Sequence, residues 1–339
     1  MPWNEAFFRR SRMRLHTHLS SFRWLLLVGI CLNLSAWLAR PAREVRASNA
    51  AAPLALVNAA SYADTVAPGS IAALFSSNLT SQASQAATTI PLPTTLAGLT
   101  VKVNGLTAPL FFASASQINL QAPGGLAPGS ATVEVFSDGS TTPVASGSVK
   151  VADAAPGIFT IDQSGRNQAI ALNSDLSRNA DFDRLPGSRP EAGGSVVVIY
   201  ATGAGATNPL VADGQAAPGS PLARATGATT VTIGGIAADV QFSGLAPGFV
   251  GLWQINAVIP ASLPTNINTP LLVSLKGNPS LQTTLAVANK NEFGAVTGSV
   301  FNAATGAGLA GAGITLQPTG AGKTRTATTN ARGQYGLYV

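Results

Sequence analysis

Few side chains in this sequence are equipped for chemistry, and the best placed are aromatic. Phe249 and Trp253 close a glycine-rich stretch, Ser243-Gly244-Leu245-Ala246-Pro247-Gly248-Phe249-Val250-Gly251-Leu252-Trp253. Two rings on such a loop offer either a flat platform for a sugar face or partner protein, or apolar area to bury between two domains. Gln117-Ile118-Asn119 and Gln254-Ile255-Asn256 each place two amides on one strand face and an isoleucine on the other. Such amides form a polar ligand row or satisfy neighbouring backbone groups, and the second role is the expectation because both triplets keep it. Asp175 and the run Asn179-Ala180-Asp181-Phe182-Asp183 alternate oxygens as calcium loops do. Arg184 stands where the loop needs glycine, and no distal glutamate follows, so a solvated loop is expected.

What is missing narrows the chemistry further. Cys31, His16 and His18 are the only cysteine and histidines, and all fall in the first 50 residues. From residue 51 onward the chain can form no disulfide, no thiolate or imidazole metal site, and no Ser-His or Cys-His catalytic pair. The carboxylates are scattered singly, and no acid/base pair follows from their spacing. The expectation is a non-enzymatic protein with no cofactor and no metal. A hydrolase using only Asp, Glu, Ser, Lys or Tyr is the catalytic alternative, and it needs a deep pocket with convergent groups.

The formal charge of +6 is confined to the N-terminus: residues 1–50 hold eight arginines against Glu5 and Glu44. Residues 51–339 hold twelve Lys/Arg and twelve Asp/Glu, with no basic run. Nucleic-acid binding needs a basic patch to displace counterions, so it is excluded as a function class.

The same arginine-rich stretch precedes sixteen mostly apolar residues, 24–39, a pattern that predicts an export signal. The run is short for a membrane span of about 20 residues. Small residues predict cleavage after Ala47 or Ala50, while Arg40, Arg43 and Arg46 keep an uncleaved membrane anchor as the alternative. Arg9-Arg10 suggests a twin-arginine signal, but Arg12 sits where that motif wants an apolar residue, and Cys31 lies in a poor lipoprotein context. The expected location is extracellular, cell-surface or periplasmic, with membrane contact only through this segment.

The elements that must carry these residues come in two copies. Val101-Lys102-Val103-Asn104-Gly105-Leu106 and Val231-Thr232-Ile233-Gly234-Gly235-Ile236 lie 130 residues apart, and the Gln-Ile-Asn triplets 137 apart. The second copy therefore carries seven extra residues between Phe242 and Gln254. Asn104-Gly105 and Gly234-Gly235 suit two-residue type I′ hairpin turns, which need positive φ at both positions. Runs 71–75 and 196–200 read as strands bounded by glycine, and further strand pairs turn at Asp138-Gly139 and Lys276-Gly277-Asn278. Gly (35) and Pro (22) punctuate short apolar runs throughout. Six or seven short strands per copy, with no helical pattern, predict β-sandwiches. Aromatics at 6% and the short strands argue against a membrane barrel.

Two resemblances follow from the residues. Segments 57–62 (VNAASY), 67–75 (APGSIAALF), 92–105, 117–123 (QINLQAP), 155–160 (APGIFT), 196–205, 230–256 and 285–288 (LAVA) resemble, in order, the uncharacterised Solibacter-type acidobacterial C-terminal domain family. That resemblance implies a tandem immunoglobulin-like pair on an extracellular protein, without catalytic residues. Gly298-Ser299-Val300, Gly311-Ala312-Gly313-Ile314 and 328–336 resemble the carboxypeptidase-regulatory-like domain, a transthyretin-type sandwich that implies no peptidase activity. Strands are read at 296–300, 314–317 and 324–328, few for a complete sandwich. A piece of a longer chain, or an edge completed by a partner, is expected there.

The fold expected is thus all-β: a signal or anchor at 1–50, β-sandwich units at 54–155 and 156–288, and a partial transthyretin-like unit at 294–339. The function expected is that of an exported scaffold or interaction module, with an extracellular protein or polysaccharide as partner. Carbohydrate binding through Phe249 and Trp253 is the alternative, which exposed, coplanar rings would favour and buried rings would sink.

Overall fold

The computed structural model describes residues 51–181, 185, 188–289, 295–320 and 324–338. The expected signal, its cleavage points and the anchor lie outside these residues. Every regular element described is a strand, so the all-β expectation holds.

The first sandwich contains β1 (Ala55–Asn58), β2 (Ile71–Phe75), β3 (Leu99–Val103), β4 (Leu110–Ala113), β5 (Gln117–Gln121), β6 (Gly129–Ser137) and β7 (Ala145–Val151). One sheet runs β1-β2-β5-β4, and the facing sheet runs β7-β6-β3. The leading segment Ala52–Pro53 crosses over to pair in parallel with β7. First, second, fifth and fourth strands against third, sixth and seventh is the immunoglobulin-like arrangement. Between the sheets lie Leu74, Leu99, Val101, Val103, Ile118, Leu120, Val133 and Val135, all without solvent exposure. Each such side chain contributes about 1.5–3 kcal/mol on burial.

The second sandwich repeats the order with β8 (Gly157–Ile158), β9 (Val196–Thr202), β10 (Thr229–Ile233), β11 (Ile236–Leu245), β12 (Trp253–Val258), β13 (Asn266–Leu275) and β14 (Thr283–Ala288). Here the two sheets form one continuous path, β9-β12-β11-β10-β13-β14. The joint is β11, whose first residues pair with β10 and whose remainder pairs with β12. In the first sandwich the equivalent stretch is split into Leu106–Thr107 and β4. Pro109 stands in the gap, where it has no N–H to donate, while the matching position, Asp239, continues the ladder.

The hairpin expectation is met in both copies. Asn104 and Gly105 have φ of 51° and 78°, and Gly234 and Gly235 have 61° and 79°. Both copies also carry a β-bulge at the same point, between Leu110 and Phe112 and between Val240 and Phe242. In each, the phenylalanine after the bulge then faces the asparagine of the Gln-Ile-Asn triplet, Phe112 with Asn119 and Phe242 with Asn256.

Beyond the second sandwich, β15 (Ala295–Ser299) pairs with β18 (Gln334–Tyr338), and β16 (Gly313–Leu316) with β17 (Arg325–Thr328). The structure thus adds a strand at 334–338 to the three read from the sequence. Gly336 in its middle weakens the local strand signal, and the pairing with β15, some forty residues earlier, supplies what local pattern does not.

Candidate functional site

Trp253 is not a surface platform. It opens strand β12 rather than ending a loop, and its side chain is fully buried in the core of the second sandwich with Ile199, Ile255 and Leu275. Strand alternation is the cause: Gln254 and Asn256 face outward, so Trp253 and Ile255 face inward. The indole N–H donates to Ser243 Oγ at 3.0 Å, and Ser243 Oγ lies 2.7 Å from Thr229 Oγ1. The ring's single polar atom is therefore satisfied inside the core. This corrects the carbohydrate-platform assignment for Trp253.

Phe249 is placed differently. It lies in the loop between β11 and β12 and packs, partly buried, on a small cluster drawn from both sandwiches. Ala60 and Ile71 come from the first; Phe159, Ala246 and Leu252 come from the second. The two aromatic residues are thus divided between a core and a junction, and no coplanar pair is presented. Part of the seven-residue difference lengthens the hairpin, since β11 pairs with β12 as far as Leu245 opposite Trp253. The rest forms the loop that reaches the first sandwich.

The amide triplets behave alike. Gln117 Nε2 donates to Asn119 Oδ1 at 2.8 Å, and Gln254 Nε2 to Asn256 Oδ1 at 2.9 Å. Ile118 and Ile255 are fully buried on the opposite face. An amide already held by its neighbour has less capacity left for a ligand. Burial raises the pKa of Tyr200, which lies opposite Gln254 on β9.

The oxygen-rich run near Asp175 is tied to protein partners. Asp175 pairs with Arg189 at 3.0 Å and accepts from the Ser177 backbone N–H, also at 3.0 Å. Asn179, fully buried, donates to Asn173 Oδ1 and to the Ala286 carbonyl, and accepts from the Ala286 N–H. Phe182, Asp183 and Arg184 lie outside the described residues. Arg189 also reaches Glu191 Oε1 at 3.3 Å, and Glu191 further accepts from the N–H groups of Ser174 and Ala192. Both Arg189 and Glu191 are buried. Among the described residues no group of three or more His, Cys, Asp or Glu is arranged to hold a metal ion.

No family model and no curated protein matches the chain. Among solved structures it is similar to the Plexin A4 extracellular region, at 12% identity over 75% of this chain and 20% of that one, with a TM-score of 0.25. It is similar to SGBP-B of the Bacteroides ovatus mixed-linkage glucan utilization locus, solved in complex with a mixed-linkage heptasaccharide, at 13% identity, 71% and 47% coverage and a TM-score of 0.29. The Escherichia coli adhesin FdeC matches at 11% identity, 88% and 77% coverage, with a TM-score of 0.21. The chain therefore spans a fifth of the first of these structures and under half of the second.

Sequence reasoning missed the residues that join the two sandwiches. Asn58, 1% exposed, accepts from the N–H groups of Ala60 and Ser61 through Oδ1 and donates through Nδ2 at 2.8 Å to the carbonyl of Ala155, in the connecting segment, whose own N–H donates to the Gly203 carbonyl of the second sandwich. Thr202, fully buried at the end of β9, accepts the Ile71 N–H at 2.7 Å. Gln121 accepts the Gly214 N–H at 2.6 Å, and the Gly214 carbonyl accepts the Leu92 N–H at 2.9 Å. Asp213 accepts the exposed Gly124 N–H at 2.9 Å. An Asx-turn signal at Asn58, followed by small residues, is the one local clue to this set.

Proposed function

We propose that this protein is a non-catalytic scaffold or interaction module, exported to the cell surface or beyond, that holds its surface loops at a fixed spacing. The observation that carries the reading is the junction itself, where buried side chains of one sandwich bind backbone groups of the other. Such a junction makes a stiff spacer, whereas domains that only adjoin through a linker move independently by default. Asp175 and Glu191 share Arg189 and are bonded to backbone N–H groups, which supports a structural role for them over acid/base catalysis. Export rests on the arginine-rich and apolar pattern of residues 1–50.

Polysaccharide recognition is the partner chemistry to test first. Trp253 takes no part in it, and Phe249 offers only the exposed fraction of its ring. Glycan arrays and polysaccharide pull-downs with the full chain, together with fractionation of expressing cells, test the reading. The expected result is surface or secreted protein without saturable glycan binding. Saturable binding to one glycan would replace the scaffold reading with the carbohydrate-binding one, and retention in the cytoplasm would remove it.

A further inference from the structure

We propose that the β11–β12 hairpin of the second copy, lengthened by its seven extra residues, serves as a bolt that makes the two sandwiches one cooperative folding unit. The inference concerns the junction alone and does not depend on what the surface binds.

The loop at the tip of that hairpin meets the first sandwich at backbone level. Gly251 has φ of +64°, and a Cβ there would sit 2.9 Å from the Gly69 carbonyl and 3.1 Å from Ile71 Cγ1. Its own carbonyl accepts the Thr202 hydroxyl at 3.4 Å, and the same hydroxyl oxygen accepts the Ile71 N–H. Thr202 is thus the centre of a three-member chain running from β2 through β9 to the loop. Leu252, 4% exposed, seals this chain from the side together with Phe249. The first copy has only Ser114-Ala115-Ser116 between β4 and β5 and makes no such reach.

Two further attachments prevent the bolt from acting as a hinge. Gly165 approaches the turn after β1 so closely that a Cβ would lie 2.6 Å from the Ala60 carbonyl. Gly157 meets Asn58 in the same way, at 2.3 Å from Oδ1. On the other side, Gly214 is held by Gln121 and Leu92, and its loop is held to the bolt: Ala217 N–H donates to the Phe249 carbonyl and Gly248 N–H to the Ala217 carbonyl. Separating the sandwiches would break all of these together and expose the shared apolar cluster. Removing one acceptor while the junction stays closed leaves a buried N–H unpaired, a costly state. Coupling of this kind makes neighbouring domains melt in one transition where their own stabilities differ.

The test is urea unfolding of the full chain, read by hydrogen-exchange mass spectrometry on peptides from β6 in the first sandwich and β13 in the second. Both strands lie away from the junction and report their own cores. The wild type is expected to lose protection in both peptides at one urea midpoint. Thr202→Val, which keeps the shape and removes the acceptor, is expected to split the midpoints, and Thr202→Ser to restore a single one. If Thr202→Val shows no protection even without urea, Gln121→Met is judged by the same criterion. Two separate midpoints in the wild type overturn the proposal. So does a single midpoint that stays single in the variants.

Discussion

The indole N–H of Trp253, a fully buried residue, donates to the hydroxyl of the half-buried Ser243 at 3.0 Å. The residue that reads from sequence as either a ligand platform or apolar filling between two domains is instead the largest fully buried side chain of the second sandwich. Trp253→Phe is expected to cost about 1–2 kcal/mol through the lost hydrogen bond and reduced volume. Trp253→Ala is expected to cost about 3–5 kcal/mol. Urea denaturation measures both, and surface binding of any kind should be unchanged in the phenylalanine variant. Lost binding at unchanged stability would return Trp253 to the surface.

The buried Arg189–Glu191 pair sets a second expectation. Arg189→Met leaves Glu191 buried with only backbone partners, at an expected loss of about 3–5 kcal/mol. Adding Glu191→Gln to that variant should recover part of the loss, because the uncompensated charge is gone. Thermal unfolding of the two variants checks this, and equal midpoints would show that the charge is not what matters.

Acid stability should depend on Asp162. Partial burial pulls its pKa upward, but hydrogen bonds from Asn167, Ser164 and Thr160 outweigh that and hold it at about 2. Asp175 is lowered too: burial raises it, and Arg189 and Ser177 more than compensate. A carboxyl whose folded pKa lies below its unfolded value near 4 adds stability above pH 4 and loses it as pH falls toward 2. With both histidines inside residues 1–50, the unfolding midpoint should be flat from pH 5 to 8 and fall below 4. Asp162→Asn should make that fall shallower, which a pH series of unfolding curves would reveal.

The two hairpin turns offer a paired measurement. A Cβ at Gly105 or Gly235 would meet nothing within 4 Å, and both residues have φ near 79°. Alanine at either should therefore cost only the left-handed backbone penalty, about 1–2 kcal/mol. Equal losses in Gly105→Ala and Gly235→Ala, read by calorimetry, would show that the two turns do the same work. A loss confined to one would separate them.

Much of this architecture is legible locally. Asn104-Gly105 and Gly234-Gly235 declare their turns, and alternation in runs such as Val101-Lys102-Val103 declares which side chains enter the core. The inward turn of Trp253 was also readable, since it adjoins Gln254 in a strand whose amides face out. The junction was not. Asn58 and Ala155, Ile71 and Thr202, and Gln121 and Gly214 are separated by 97, 131 and 93 residues. No periodicity spans such distances, and each contact is a polar side chain meeting a backbone group that any residue supplies. Asp175 and Asn179 were opaque for a similar reason, because their oxygens find partners on Arg189 and on β14.

The repeated β-bulge marks a plan common to both sandwiches. An irregularity between Leu110 and Phe112 recurs between Val240 and Phe242, and in both places a phenylalanine faces an asparagine that is clasped by a glutamine two residues before it. The kink, facing pair and amide clasp therefore belong to the plan that both copies share, and Pro109 and the lengthened β11–β12 hairpin are where the copies differ. One copy keeps its sheets separate while the other joins them through β11, so one plan and two of its outcomes lie side by side in one chain.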